Sequence, residues 1–188
     1  NFIIFVINFR NEMNNTIKNK TFTVFEELVG LSPVEIRDRM DKLKYNPERI
    51  DYHPEGNTYE HIKIVTNRLI TTGDIDLIMA GLFHDLFKLE TTKINPKTGH
   101  PCAIGHENGS AMLVLHYKDF ISEMGADVDT VYGIVKNHMR IRQYNKMRPN
   151  KKQELDKLPY IKKLKVFEIA DSMLIEWDLN KIKKKILI

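Results

Sequence analysis

Six side chains in this 188-residue sequence are of types that could jointly hold divalent metal: His61, His84, Asp85, His106, His138 and Asp171. Imidazole nitrogen and carboxylate oxygen suit manganese, iron, nickel, cobalt, zinc or magnesium, and a set without thiolate leans away from a purely structural zinc. The one cysteine, Cys102, allows neither an internal disulfide nor a four-thiolate zinc site, and it fits a reducing, cytoplasmic setting. The adjacent pair His84-Asp85 is the sharpest element. Neighbours on a helix point about 100° apart, so both reach one ion only if it lies near the seam between them. With both oxygens in use, Asp85 could bridge two ions. Taken singly, a helical histidine is more often a hydrogen-bonded core or surface residue, and Asp171 alone could face solvent. Their joint occurrence in one order carries the weight.

The elements that must position these groups read as helices. Ser32-Pro33-Val34-Glu35 has the form of a capping box with proline at the first helical position, opening a helix through Ile36, Met40 and Leu43 to about Tyr45. Asn46-Pro47 stops it. A turn-rich segment with His53-Pro54-Glu55-Gly56 leads to a helix from about Thr58 to Thr71, with His61 in its first turn. Asp74 is a good N-cap for an apolar run from Ile75 to Leu89, predicted as one central buried helix with His84 and Asp85 inside it. A buried aspartate needs a partner to offset lost hydration, and a metal ion is one.

Residues 91–105 read as a long loop able to serve as a lid. Helices follow from about His106 to Tyr117 and from Val128 to Met139, with His138 closing the face of Val131, Ile134 and Val135. Residues 140–159 are basic and partly irregular, and a final long helix runs from about Tyr160 toward the terminus. Asp171 falls on its apolar stripe of Leu164, Phe167 and Leu174. The expected fold class is therefore all-α, a compact bundle of about six or more helices.

With 42% hydrophobic and 29% charged residues the chain reads as a globular protein, neither disordered nor membrane-embedded. Residues 1–20 are read as an N-terminal extension that need not be native, and residues 21–188 as one domain. The apolar run from Asn1 to Phe9 lacks a basic lead and is too short to span a bilayer as a helix. From Met139 onward there are 14 Lys+Arg against 6 Asp+Glu, leaving 15 against 19 before it. That skew could draw in phosphate-bearing ligands or RNA, although solvated lysine-rich helices look the same.

The order His61, His84-Asp85, Asp171 resembles the HD superfamily of metal-dependent phosphohydrolases, and His106 and His138 match its six-ligand, two-metal version. The likeness covers about residues 50–175. Three strings sharpen it: His53-Pro54-Glu55-Gly56 leading to His61, His84-Asp85-Leu86-Phe87-Lys88, and Gly105-His106-Glu107-Asn108-Gly109-Ser110. They are most similar to the HD domain attached to bacterial tRNA nucleotidyltransferases, the CCA-adding enzymes, and Ala170-Asp171-Ser172 fits as well. Phe87 departs from the glycine of many members, so the turn after the pair can differ. No nucleotidyltransferase head accompanies the likeness, so it does not imply nucleotide addition. The acidic pair of guanosine tetraphosphate hydrolases and the Gly-Tyr-Pro string of cyclic-di-GMP phosphodiesterases are missing, which disfavours those substrates.

The resemblance implies a phosphodiesterase or phosphatase acting on a nucleotide, another phosphorylated small molecule or an RNA end. A (deoxy)nucleoside triphosphate hydrolase and a non-catalytic, metal-retaining RNA-binding module are the alternatives. It implies that Asp85 bridges, that His61, His84 and Asp171 hold one ion with it, and that His106 and His138 complete a second. Lys88, one turn beyond His84, is a candidate catalytic and phosphate-binding group. Its plainer reading is a solvated lysine at a helix C-terminus. Arg140 and Arg142, with Lys146 and Arg148, could guide the substrate, and Tyr144 could stack on a base. His53 and His100 are read as groups supporting the ligands or a lid, and His116 as structural.

Overall fold

The computed structural model of the protein describes residues 22–172 together with positions 177, 178, 180 and 182. The extension expected over residues 1–20 and the stripe position Leu174 lie outside the described residues. Within them helices dominate, as expected. They are α1 (Phe25–Leu31), α2 (Val34–Leu43), α3 (Thr58–Ile70), α4 (Ile75–Phe83), α5 (Lys88–Thr91), α6 (His106–His116), α7 (Lys118–Glu123), α8 (Val128–Ile141), α9 (Pro149–Asp156) and α10 (Ile161–Asp171). No helix among the described residues is long and apolar enough to cross a membrane.

Helix α4 is the hub. Every residue from Asp76 to Phe83 is buried, and the helix packs against α3, α6, α8 and α10. Asp74 caps it by accepting from the amides of Asp76 and Leu77. It ends at Phe83 rather than running to Leu89, so His84 and Asp85 stand at its C-terminal edge and not inside it. Two distant groups explain the early stop. The Phe87 amide donates to the Ser110 hydroxyl on α6 at 3.1 Å, and the Leu86 carbonyl accepts from Arg39 on α2 at 3.2 Å. Both leave the helical ladder, and the chain makes an open turn before α5.

Three other expectations need correction. Ser32 does not cap α2: its hydroxyl donates back to the Leu28 carbonyl at 2.9 Å, closing α1, and α2 starts at Val34 without a side-chain cap. Residues 91–105 contain an antiparallel hairpin, β1 (Thr92–Ile94) and β2 (Pro101–Ala103), with Thr92 opposite Ala103 and Ile94 opposite Pro101. Helix α10 closes at Asp171, where Ser172 turns extended. The Arg68 guanidinium on α3 takes the carbonyls of Ala170 and Ser172 at 2.9 and 3.0 Å, which holds that end.

Phe87 is accommodated by a glycine opposite. A Cβ placed on Gly109 of α6 would lie 2.0 Å from Phe87 Cδ1 and 2.2 Å from its Cγ. The ring can swing only by leaving its packing, because Cγ is fixed near the backbone. Gly109→Ala is therefore expected to cost about 1–3 kcal/mol through overpacking. Adding Phe87→Ala should recover much of it, a coupling that chemical denaturation of the four proteins of the cycle would measure.

Candidate metal centre

All six candidate ligands sit at or near helix ends. His61 is in the first turn of α3, His84 caps α4, Asp85 follows it, His106 opens α6, His138 is in the last turn of α8, and Asp171 closes α10. They converge, and each is no more than 4% exposed.

Asp85 divides them into two sets. Its Oδ2 lies 3.2 Å from His84 Nε2 and 3.5 Å from His61 Nε2. Its Oδ1 lies 3.0 Å from His106 Nε2 and 3.7 Å from His138 Nε2. Asp171 joins the first set, with Oδ1 2.9 Å from His61 Nε2 and 3.7 Å from His84 Nε2. His106 and His138 approach each other at 3.1 Å between their Nε2 atoms.

The outer ring nitrogens fix the tautomers. His84, His106 and His138 each place Nδ1 on the backbone carbonyl three residues earlier, Gly81, Ala103 and Val135, at 2.8, 2.5 and 2.6 Å. His61 places Nδ1 on Glu55 Oε1 at 2.6 Å. A carbonyl or carboxylate oxygen only accepts, so Nδ1 carries the proton and donates in all four. Every Nε2 is thereby turned inward. The chemistry of this donor set fits a divalent ion, since metal-bound imidazoles are held in this way.

Unmet polar atoms point in the same direction. His84 Nε2, Asp85 Oδ1 and Asp171 Oδ2 are buried and make no hydrogen bond. Such groups are rare in folded proteins and call for a partner. His61, His84 and Asp85 form one cluster whose donor atoms lie within 4.8 Å of one another, and Asp85, His106 and His138 form another. These buried groups could hold a metal ion.

Without metal the centre is an ion-pair network. Burial would raise the Asp85 carboxyl, but His84, Lys88 and His106 hold it well below the usual carboxylate range. Asp171 is likewise depressed despite burial, by its bond to His61 and by Arg142. Burial pulls His61 down, but its bonds to Asp171 and Glu55 outweigh this and lift it to about 9. His106 is raised against burial by Asp85. His138 is pushed down to about 3, chiefly by burial, and is neutral.

Binding of a metal ion at this centre would therefore expel protons. At pH 7.5 the His61 imidazolium, with its value near 9, has to release its Nε2 proton before that atom can bind metal. Calorimetric titration with Mn²⁺ in two buffers of different ionisation enthalpy should show about one proton released for the ion that His61 binds. Below pH 9 the affinity should tighten by roughly tenfold per pH unit for each proton released. Pure electrostatic adsorption would release none.

Over this centre opens a cleft of about 1020 Å³. Asp85, Lys88, His106, His138 and Asp171 line it, and the hairpin contributes Pro101, Cys102 and Ala103. Lys88 is not the solvated lysine of its plainer reading. It is 7% exposed, with Nζ 2.8 Å from Glu48 and 2.9 Å from Asp85. Arg142 lines the cleft 3.6 Å from Asp171 Oδ2, and Lys146 lines it too. Arg140 does not: it pairs with Glu154 at 2.9 Å outside the lining residues. Tyr144 is also elsewhere, its ring beneath Lys152 and Lys165 and its hydroxyl on Asp156. The tyrosine at the cleft is Tyr52, with the Arg49 guanidinium 4.9 Å from its ring centroid. His53 lines the cleft, whereas His100 and His116 are exposed away from it.

Over 97 residues, 51% of the chain, the sequence is 33% identical to the Multifunctional CCA protein of Cupriavidus necator. The corresponding protein of Burkholderia mallei is 34% identical over a stretch of the same length. The matched region makes up 22% of each relative, so the chain spans about a fifth of the curated proteins it matches. No family model and no solved structure matches. The chain is thus similar to a minor portion of multifunctional CCA proteins. Glu48, Glu55, Arg49 and Tyr52 are the site residues that sequence reasoning missed. Glu55 lies within the His53-Pro54-Glu55-Gly56 string, and its spacing of six residues from His61 was the available signal.

Proposed function

We propose that this chain is a metal-dependent phosphohydrolase of the HD type, a phosphodiesterase or phosphatase acting on a nucleotide or RNA-end phosphate. The observation that carries the reading is the set of buried atoms of His84, Asp85 and Asp171 that make no hydrogen bond, with Asp85 and Asp171 lining a cleft that also bears Lys88, Arg142 and Lys146. The HD resemblance and the similarity to multifunctional CCA proteins support it.

His61, His84, Asp85 and Asp171 would hold one ion, and Asp85, His106 and His138 a second. Bound divalent metal supplies a water of lowered pKa and a Lewis acid for phosphoryl oxygens. Asp85, with an oxygen toward each set, orients that chemistry. Arg142 stands at the mouth of the centre, where its guanidinium can meet a phosphoryl oxygen. Lys88 is kept protonated: burial opposes the charge, but Asp85 and Glu48 raise its pKa above the ordinary value. It can donate to a phosphate while never serving as a base at neutral pH. Tyr52 and Arg49 offer a planar surface to a nucleoside.

The test is turnover of bis-p-nitrophenyl phosphate and a panel of nucleotides with and without Mn²⁺, Ni²⁺ or Co²⁺. Metal-dependent hydrolysis of at least one, lost on chelation, is expected. Bound metal with no turnover across the panel would point to the metal-retaining binding module instead.

A further inference from the structure

The four inward-facing imidazoles are not held alike. Three donate to a carbonyl of their own backbone three residues earlier, whereas His61 donates to a carboxylate, Glu55. Glu55 comes from the turn before α3, and its side chain is 4% exposed. Its Oε1 takes His61 Nδ1–H at 2.6 Å and His53 Nδ1–H at 3.0 Å. Its Oε2 is buried without a hydrogen bond. Such a carboxylate is costly to bury, so the fold maintains it against a desolvation penalty.

We infer that Glu55 is a positioning residue that makes the two halves of the centre unequal, strengthening the His61–His84–Asp171 half as the tight metal site. This rests on the metal-centre reading and adds an order of loading to it. A carboxylate behind an imidazole fixes the ring and increases its basicity more than a neutral carbonyl does. The same half also has two carboxylates, Asp85 and Asp171, facing its ion, whereas the His106–His138 half has Asp85 alone. Both differences favour the first half.

His53, Glu55 and His61 themselves offer three donor atoms within 4.8 Å of one another. They are arranged as a hydrogen-bonded trio and not around an ion, because both rings already converge on the one oxygen, Oε1. His53 lines the cleft and uses Nδ1 for Glu55. The carboxylate therefore ties a cleft-wall imidazole to a ligand imidazole.

Calorimetric titration of the metal-freed protein with Co²⁺ alone, read in parallel by visible absorption, tests this. Wild type should show a tight and a weaker class of site. Glu55→Ala should weaken the tight class by about 10–100-fold and leave the weaker class unchanged. Glu55→Gln keeps an acceptor for His61 Nδ1–H without the charge, and should recover part of the loss. A folded Glu55→Ala protein that binds both classes as wild type does, or loses both equally, overturns the inference. If the alanine variant does not fold, Glu55→Gln carries the test, and tight-site affinity equal to wild type overturns it. A wild type that binds no Co²⁺ defeats this inference and the proposed function together. Wild type that binds Co²⁺ in two classes but hydrolyses nothing defeats the hydrolase reading alone.

Discussion

Replacing Asp85 by alanine is expected to abolish hydrolysis and to cost more metal affinity than any other single substitution in the protein. The side chain presents Oδ2 to His61 and His84 and Oδ1 to His106 and His138, so both halves of the proposed centre would lose a ligand at once. Loss of a supporting group one bond further out commonly costs about 10–100-fold in metal affinity or activity, and a shared ligand should cost well beyond that. Stability should fall too. Asp85 is the buried counter-charge for Lys88 and His106, and removing one partner of a buried pair costs about 3–5 kcal/mol. Asp85→Asn keeps the volume and drops the charge, so it should show the loss of ligand and counter-charge without the loss of packing. Metal titration, turnover and denaturant unfolding of both variants check this. An Asp85→Asn protein retaining wild-type turnover would remove Asp85 from the mechanism.

The second large effect is expected at Lys88. Its ammonium sits between two carboxylates, Glu48 and Asp85, with all three side chains less than a tenth exposed. In Lys88→Ala those carboxylates are left buried without their cation, and the metal-free protein should lose about 3–5 kcal/mol. Saturating Mn²⁺ should restore part of the loss by neutralising Asp85, so the variant's melting temperature should rise more with metal than that of wild type. The pH dependence has a definite sign. The folded pKa of Lys88 is raised, so its contribution is complete below the ordinary lysine value of about 10.4 and is lost only as pH rises through the higher folded value. Between pH 6 and 9 the stability gap between wild type and Lys88→Ala should therefore not close through Lys88 titration. Thermal unfolding with and without Mn²⁺ measures both. Equal metal-induced stabilisation of the two proteins would contradict the coupling.

The six candidate ligands were legible chiefly from their joint occurrence in one order, and two of them also fall on a buried helical stripe. His138 lies on the stripe of Val131, Ile134 and Val135 that α8 buries, and Asp171 on the buried face with Leu164 and Phe167. The position of Asp85 was less legible. Hydrophobicity alone extends α4 to Leu89, whereas the stop depends on Ser110 and Arg39, side chains 23 and 47 residues away from their partners. The hairpin over residues 92–103 was missed for a similar reason. Its strands are three residues each, too short to show a period of two, and Asn46 holds it by bonding both Thr58 and Thr92. Glu48 and Arg49 looked like surface charges in a polar turn, and only the fold sets one on Lys88 and the other over Tyr52. Arg140 shows the converse: its spacing from His138 placed it near the centre, but its helical phase turns it to Glu154.

The proposed metal centre joins the inward Nε2 atoms of His61, His84, His106 and His138 with Asp85 and Asp171. The most direct measurement is anomalous diffraction from crystals of the protein soaked in Mn²⁺. An anomalous peak bonded to Asp85 together with His61, His84 and Asp171 is predicted, with a second on the His106–His138 side at higher metal concentration. Fully soaked crystals with no anomalous density among these six side chains would rule out a metal centre at this position.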